Sequence, residues 1–361
     1  MDGIMKRVLI TGGGTGGHLS IARALGIECA RRGFELVYIG SNSGQDRAWF
    51  ENSEIFSHKY FLNSTGVVNK RGFGLIKSIW MQVCAVLKSC QILRKHKIDF
   101  VISVGGFSAG GGSLAAILTR TSLFIHEQNS VSGMLNRILS PFARAIFGSF
   151  EIGRKNFIRT AYPIDEIYHK SARVREKINT ILFLGGSQGA VAINDFALRV
   201  ASELLKRDIR IIHQCGKRDF ERVKSAYSAL HSDKITLFDF SDNLAHFVAQ
   251  ADFCVSRAGA GALWELCANA LPCYFVPYPF AAKNHQFHNA QFLKKCELCE
   301  VVEQKDLDEV AFLAYIDAVN SANSAICAPN MPNITQISAK LAKLPHKNGS
   351  KEIIDNILEI V

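Results

Sequence analysis

A glycine-rich loop that ends in a histidine stands near the start of this 361-residue chain. Its residues, Thr11-Gly12-Gly13-Gly14-Thr15-Gly16-Gly17-His18, follow the apolar run Val8-Leu9-Ile10. Glycines permit positive φ angles and expose backbone N–H groups, and the N-terminus of a following helix favours an anion or a polarised sugar. Because neutral imidazole accepts a proton near physiological pH, His18 is a candidate general base; the alternative is a histidine that orders the loop by bonding backbone.

A second glycine cluster opens a helix that carries a carboxylate. The segment Gly259-Ala260-Gly261-Ala262-Leu263-Trp264-Glu265 follows an apolar run at 253–256. An acid one turn inside such a helix is well placed to accept both hydroxyls of a ribose while the helix N-terminus holds a diphosphate. The same acid is equally explained as a group that stabilises the helix dipole. The pattern alone leaves both interpretations of Glu265 open.

Further polar clusters follow predicted strands, at 104–110, 126–129 and 284–290. Side chains in such loops bind sugar hydroxyls, although turn chemistry explains any one cluster alone.

These clusters need a scaffold, and the apolar runs indicate parallel sheets. Predicted strands at 8–11, 36–39, 100–104, 123–125 and 145–147 are separated in several places by amphipathic segments. After a polar stretch at 151–179 the pattern restarts, with strands at 180–184, 209–213, 235–237, 253–256 and 274–276. This alternation is typical of doubly wound α/β domains, which bind ligands at the carboxyl ends of their strands. The length also favours two domains, and hence a cleft.

The composition narrows the class of protein. A hydrophobic content of 48% and a charged content of 20% are typical of a globular chain, and no apolar run reaches the ~18 residues of a membrane span. The N-terminus leads directly into the first strand, so we expect no signal peptide and a cytoplasmic protein. The formal charge of +10 suits anionic partners, but no nucleic-acid module is visible. The scattered cysteines indicate reduced thiols, and the lone pair Cys296 and Cys299 lacks a second pair for zinc.

A dinucleotide fingerprint is the weakest interpretation of the first loop. Gly12, Gly14 and Gly17 satisfy its spacing, yet the second strand ends Tyr38-Ile39-Gly40-Ser41 without the acidic residue that a ribose requires. An oxidoreductase also leaves the second glycine cluster unexplained.

The motifs together resemble one family over almost the whole chain. They are Gly13-Gly14-Thr15-Gly16-Gly17-His18, His126-Glu127-Gln128-Asn129, Gly185-Gly186-Ser187-Gln188-Gly189-Ala190 and the segment 257–265 with Asn289-Ala290. This combination is similar to the bacterial undecaprenyl-diphospho-muramoylpentapeptide β-N-acetylglucosaminyltransferases. The resemblance implies a glycosyltransferase B fold of two Rossmann-like doubly wound domains that face each other across a cleft. It also implies transfer of N-acetylglucosamine from UDP-N-acetylglucosamine to the lipid-linked muramoyl pentapeptide, on the cytoplasmic side of the inner membrane.

The resemblance also assigns domains. It places the acceptor and membrane-side domain at 1–162 and the UDP-sugar domain at 163–345, with a C-terminal helix at 346–361 that packs back on the first domain.

Site residues carry over from the family by position. In the second domain, Glu265 would bind the ribose hydroxyls and Ser187 would lie near the phosphates. The rest of the implied donor site is Ala260, Gly261, Ala262, Leu263 and Trp264 at the diphosphate, Phe240, Ser241 and Leu244 at the uracil, and His285 and Gln286 at the transferred sugar. In the first domain, Asn129 would reach that sugar, Thr15, Gly16 and Gly17 would face donor and acceptor, and His18 would act as general base. Amides and a helix N-terminus can stabilise the leaving diphosphate without a metal cage, so no metal ligand or cofactor is assigned.

Three positions depart from the family pattern. Asp165 stands where many members carry an arginine near the nucleotide, so another cation must serve or that contact is absent. Ile21 and Gly111 each replace a proline, which affects loop shape rather than the reaction.

A lipid-linked acceptor requires access to a membrane surface, and the segment 75–97 offers it. Ile76, Ile79 and Trp80 lie among lysines such as Lys77, so this helix is expected to place its apolar face at an anionic membrane surface. The commoner use of such a helix is packing on a sheet, and one helix can do both.

Other functions stay open at this point. A UDP-N-acetylglucosamine 2-epimerase or another enzyme of the same fold would share the glycine-rich loops without needing a lipid substrate. A nucleotide-binding scaffold would use the same loops to bind a nucleotide without turnover.

Overall fold

The computed structural model describes residues 5–66, 71–186, 189–321, 332–344 and 348–361. The chain divides into two compact units, Met1–Ile164 with Lys347–Val361 (unit 1) and Asp165–His346 (unit 2). Each unit is an α/β structure around a parallel sheet.

The sheet of unit 1 has seven strands in the order β3-β2-β1-β4-β5-β6-β7. They are β1 (Arg7–Thr11), β2 (Glu35–Ser41), β3 (His58–Leu62), β4 (Phe100–Ser103), β5 (Ser122–His126), β6 (Ala145–Gly148) and β7 (Phe157–Arg159). The connecting helices are α1 (Gly16–Arg31), α2 (Asp46–Phe50), α3 (Gly72–Lys95), α4 (Ala109–Thr119) and α5 (Met134–Leu139), with a 3-10 turn at Ser140–Phe142. All strand pairs are parallel, so the loops after β1, β4 and β5, three adjacent strands, leave the sheet at one edge.

The sheet of unit 2 has six strands in the order β10-β9-β8-β11-β12-β13. They are β8 (Thr180–Leu184), β9 (Arg210–Gln214), β10 (Ile235–Phe238), β11 (Phe253–Ser256), β12 (Cys273–Phe275) and β13 (Cys299–Val301). The helices are α6 (Glu166–Lys170), α7 (Val191–Lys206), α8 (Phe220–Ser228), α9 (Leu244–Gln250), α10 (Ala260–Ala268), α11 (His285–Lys295), α12 (Glu309–Asn320) and α13 (Ile334–Ala342), with 3-10 turns at Ala282–Asn284 and Gln304–Asp306.

The last helix, α14 (Gly349–Ile360), belongs to unit 1 and packs against α1. Ile353, Ile354 and Ile357 are fully buried there. Arg32 adds an ion pair of 2.7 Å to Asp355. The backbone N–H of Ala161 donates to the Glu352 carboxylate at 2.9 Å, which ties the start of the helix to the end of the unit 1 sheet.

The apolar runs predicted the central strands of both sheets but missed β3, β7 and β13. All three are edge strands, and β3 and β7 contain no buried residue. A strand such as β3 therefore reads His-Lys-Tyr-Phe-Leu and lacks the continuous apolar run of a buried parallel strand. The cysteines among the described residues are all free thiols. Within the described residues, no helix has both the length and the apolar character to cross a lipid bilayer.

Candidate active site

Two glycine loops meet above the carboxyl ends of β1 and β4. The backbone N–H of Gly13 donates to the carbonyl of Gly105 at 3.1 Å. Gly106 has a φ of 78°, and a Cβ added to it would collide with the backbone carbonyl of Gly13. The loops therefore fit together only with glycine at position 106.

A buried aspartate braces the first loop, which the sequence pattern did not predict. The Asp46 carboxylate accepts hydrogen bonds from the backbone N–H of Gly14 at 2.7 Å and of Ser41 at 3.0 Å. The Tyr38 hydroxyl lies within hydrogen-bond distance of both the Gly12 carbonyl (2.9 Å) and Asp46 (3.1 Å). Asp46 begins α2, the helix after the one that follows the glycine loop. It is therefore too far from the loop in sequence for spacing to reveal its role.

His18 lies in the first turn of α1, with partners at both ring nitrogens. Its Nδ1 is 3.0 Å from the Thr15 hydroxyl, and its Nε2 is 2.8 Å from the side-chain nitrogen of Gln128. Gln128 follows β5, so the motif at 126–129 and the first glycine loop meet at this imidazole. The sequence places Gln128 in a polar cluster but contains no spacing that pairs it with His18.

The neighbours of Gln128 shape the same edge of the sheet. The buried Glu127 carboxylate accepts from the backbone N–H of Asn129 at 3.2 Å and of Gly133 at 3.1 Å, and from the Asn136 side chain at 3.0 Å. Burial raises its pKa despite these donors. Glu127 therefore orders the loop that carries Asn129. His126 is fully buried, and burial, aided by the nearby His18, lowers its pKa to about 3.

In unit 2 the candidate ribose ligand Glu265 lies in α10, which begins after Gly259 at the carboxyl end of β11. Burial raises the pKa of Glu265 to about 7. A hydrogen bond from the Tyr168 hydroxyl opposes this shift, and the charge of Asp165 adds to it. Glu265 is therefore a desolvated acceptor that titrates near neutral pH.

Asp165, one of the three departures from the resembled pattern, has a local structural role. Its carboxylate caps α6 by accepting from the backbone N–H of Ile167 at 3.0 Å. The short helix places Tyr168 against Glu265. A second anion, rather than a cation, thus lies near Glu265 in this chain.

Loops after β11 and β12 are held together around the start of α10. The Arg257 guanidinium donates to the carbonyls of Val276 (3.1 Å) and Pro277 (3.2 Å) and to Gln304 (2.8 Å). The Asn289 side chain, in α11, donates to the Ala258 carbonyl at 3.3 Å. Because Arg257 is committed to these contacts, it serves as a brace for the loops.

The predicted sugar ligands begin α11. The Gln286 side-chain oxygen accepts from the backbone N–H of Tyr278 at 2.9 Å, and His285 Nδ1 lies 2.9 Å from the Ala282 carbonyl. Both residues are partly exposed.

The predicted uracil wall follows β10 at the same edge of the unit 2 sheet. Phe240 is 45% exposed, the Ser241 hydroxyl accepts from the backbone N–H of Asn243 at 3.1 Å, and Leu244 begins α9. Ser187 lies outside the described residues, so the structure does not place it.

The helix α3 exposes a row of large apolar side chains. Ile76 (65% exposed), Ile79 (50%), Trp80 (68%), Val83 (44%) and Leu87 (60%) form it, and Lys77 is exposed beside them. The opposite face, including Val86, Ile92 and Leu93, is buried in unit 1. A cavity of about 640 Å³ lies alongside, lined in part by Arg47, Lys59 and Lys88. One helix thus serves both the core and an apolar surface with cations around it.

The comparisons with known proteins agree across both units. Residues 8–148 match the N-terminal domain of glycosyltransferase family 28, and residues 180–347 match its C-terminal domain. The chain belongs to glycosyltransferase family 28. Two UDP-N-acetylglucosamine--N-acetylmuramyl-(pentapeptide) pyrophosphoryl-undecaprenol N-acetylglucosamine transferases are similar to this family 28 chain. That of Helicobacter hepaticus is 57% identical over 79% of the chain and 82% of the relative. That of Helicobacter acinonychis is 53% identical over 80% and 82%.

A solved structure supports the fold of this family 28 enzyme. MurG of Acinetobacter baumannii matches with a TM-score of 0.78, at 24% identity, over 98% of this chain and 99% of that one. The family resemblance seen in the sequence and the predicted glycosyltransferase B fold of two Rossmann-like domains are therefore confirmed. The chain is a hexosyltransferase.

Proposed function

We propose that this enzyme transfers N-acetylglucosamine from UDP-N-acetylglucosamine to undecaprenyl-diphosphate-linked muramoyl pentapeptide, with inversion at the anomeric carbon. The printed names of the relatives describe this transfer. The structural observation that carries the proposal is the imidazole of His18, held at both nitrogens where the two glycine loops of unit 1 meet. This is an arrangement for a base, because the ring is oriented before any hydroxyl arrives.

The donor belongs to unit 2 in this proposal. The first amides of α10, from Ala260 to Ala262, would bind the diphosphate at the positive end of the helix, with Leu263 and Trp264 completing the turn. Glu265 would accept hydrogen bonds from the ribose hydroxyls. Gln286 and His285 would bind hydroxyls of the transferred sugar, Phe240, Ser241 and Leu244 would line the uracil, and Ser187 would lie near the phosphates.

The reaction is a single displacement. The muramoyl hydroxyl oxygen forms the new bond to the anomeric carbon, while the bond from that carbon to the diphosphate oxygen breaks and UDP leaves on the opposite face. His18 takes the hydroxyl proton as the new bond forms. Thr15, Gly16 and Gly17 would present amides and a hydroxyl at this point, and Asn129 would contact the sugar. Charge develops on the departing diphosphate, where helix amides stabilise it.

The acceptor is anchored in a bilayer, so the enzyme needs a surface contact with the cytoplasmic face of the plasma membrane. The exposed row on α3 with Lys77 suits this contact, since apolar side chains enter the interface while lysines approach anionic headgroups. The adjacent cavity is lined by Arg47, Lys59 and Lys88 against the one acid Glu51, and this net positive charge supports the same orientation.

The deciding experiment is UDP release from UDP-N-acetylglucosamine, measured with and without a lipid-linked muramoyl-pentapeptide analogue. We expect release that depends on the analogue and yields the β-linked disaccharide. Tight UDP binding without release would indicate a scaffold. Acceptor-independent conversion of the UDP-sugar would indicate an epimerase.

A further inference from the structure

A cluster of two histidines and a glutamate lies at the amino end of the unit 1 sheet. Glu35 begins β2, His58 begins β3, and His96 follows the last residue of α3. The strands β2 and β3 are parallel neighbours, with His58 paired in register with Val37. The glycine loops follow the carboxyl ends of strands in the same sheet, so this cluster is separate from the candidate active site.

The spacing of the three side chains is close to that of a metal site. One ligand atom from each of the three residues lies within 4.8 Å of the other two. The Nε2 of His58 is 3.9 Å from Oε1 of Glu35, and the two imidazole rings have centroids 4.4 Å apart. Ligand atoms around a tetrahedral zinc ion lie about 3.4 Å apart, given bonds of about 2.0 to 2.1 Å. The side chain of His58 is 46% exposed, so this ring has room to turn toward the other two ligands, as the proposed site requires.

Outer contacts hold two of the three groups in orientation. The Tyr60 hydroxyl lies 2.8 Å from Nε2 of His96, so the ligand atom that the proposed site requires from this ring is Nδ1. Arg7 contacts the other oxygen of Glu35, at 3.3 Å from Oε2, which leaves Oε1 facing His58. Metal-bound histidines commonly have such a partner at the second nitrogen.

We propose that Glu35, His58 and His96 bind one zinc ion, with water completing the coordination. Two imidazoles and a carboxylate are ligands that zinc accepts, and the exposure of His58 gives an entry path from solvent. The ion joins the C-terminal end of α3 to the edge strand β3 and its neighbour β2. Because α3 carries the exposed apolar row, zinc would fix the end of that helix to the sheet.

The test uses the full chain, freed of metal by a chelator and then titrated with zinc chloride in a calorimeter. We expect saturable binding of one equivalent and a rise in melting temperature. Cobalt(II) in place of zinc should give the visible absorption of a four-coordinate nitrogen and oxygen site. His58→Ala and Glu35→Gln should abolish the stoichiometric binding, and His58→Ala replaces an exposed side chain, so it leaves the fold intact.

Two further variants separate a built site from adventitious binding. Tyr60→Phe keeps all three ligands but removes the partner of His96, and should weaken zinc binding by about 10- to 100-fold. His231→Asn removes a histidine of unit 2 at a positive φ that asparagine tolerates, and should bind zinc like the parent. Absence of stoichiometric binding by the parent, or equal binding by His58→Ala and the parent, would overturn the proposal. Neither result depends on glycosyl transfer.

Discussion

The side-chain nitrogen of Gln128 lies 2.8 Å from Nε2 of His18, and the Thr15 hydroxyl lies 3.0 Å from Nδ1. An amide nitrogen donates and cannot accept, so this contact places the lone pair of His18 on Nε2 and its proton on Nδ1, which donates to Thr15. The muramoyl hydroxyl must then take the place of the Gln128 amide at Nε2. His18 is thus held in the tautomer whose accepting nitrogen, Nε2, faces the loop after β5.

Removal of the imidazole should separate binding from chemistry. We expect His18→Ala to keep its affinity for UDP-N-acetylglucosamine, because the proposed donor contacts lie in unit 2, and to lose about 10² to 10⁴ in kcat. Calorimetric titration and steady-state rates measure the two effects. Turnover equal to that of the parent would remove His18 from the mechanism and leave it as a residue that orders the loop.

A charge at position 128 should change the pH dependence. In Gln128→Glu a carboxylate replaces the donor, which favours the imidazolium form of His18, and imidazolium has no lone pair to accept a proton. We expect the acid limb of the kcat profile to move up by about one pH unit. Gln128→Leu removes the amide that stabilises neutral His18 without adding charge and serves as the control, with its limb moved up by less than in Gln128→Glu. An identical profile for Gln128→Glu and the parent would show that residue 128 does not contact the group whose titration limits kcat.

Donor affinity should fall as the pH falls through about 7, the pKa of Glu265. Ribose hydroxyls donate to the carboxylate, and the protonated form offers a weaker acceptor, so below this pKa the affinity should drop by up to about tenfold per pH unit. UDP-N-acetylglucosamine is the right probe, because its diphosphate diester does not titrate between pH 6 and 8, whereas the terminal phosphate of UDP does, with a pKa near 6 as in other phosphate monoesters. Calorimetric titrations across this range measure the dependence.

Two variants test that assignment. Glu265→Gln should bind about 10- to 100-fold more weakly at pH 8 and show a flat dependence, because a charged acceptor is lost. Tyr168→Phe removes the donor that lowers the pKa of Glu265, so the midpoint should move to higher pH. A parent affinity that is constant from pH 8 to 6 would show that Glu265 does not bind the ribose in its charged form.

The sequence predicted the fold better than it predicted the contacts within the site. Buried parallel strands have long apolar runs, and glycine-rich loops are recognisable in the sequence. The strands β1, β8 and β11 and the loops that follow them could therefore be predicted. The contacts of Asp46 with Gly14 and of Gln128 with His18 join residues far apart in the chain, and no spacing rule encodes them. The same holds for Glu35, His58 and His96, which form a cluster only because β2, β3 and the end of α3 meet.

The interlocked glycine loops should be intolerant of a single methyl group. Gly106→Ala places Cβ against the Gly13 carbonyl and adds strain at a φ of 78°. Gly33 has nearly the same φ, 76°, with nothing within 4 Å of an added Cβ, so Gly33→Ala isolates the strain alone. We expect Gly33→Ala to cost about 1 to 2 kcal/mol and to keep its activity. Gly106→Ala should melt at a clearly lower temperature and lose turnover; equal melting points would show that the loops separate at little cost.

Membrane binding should depend on the apolar row of α3 and its lysines. Trp80 is 68% exposed, so Trp80→Asp combined with Lys77→Glu changes the surface without disturbing the buried face of the helix. Each lysine near anionic headgroups is worth ~1 kcal/mol, and the reversal of one charge with loss of the indole should strongly reduce sedimentation with anionic vesicles. The matched control is Val310→Asp with Lys305→Glu, an exposed apolar and cationic pair in unit 2. The α3 variant should keep its affinity for UDP-N-acetylglucosamine and lose activity chiefly on acceptor presented in vesicles. Equal sedimentation of the α3 variant and the parent would place the membrane contact elsewhere on the protein.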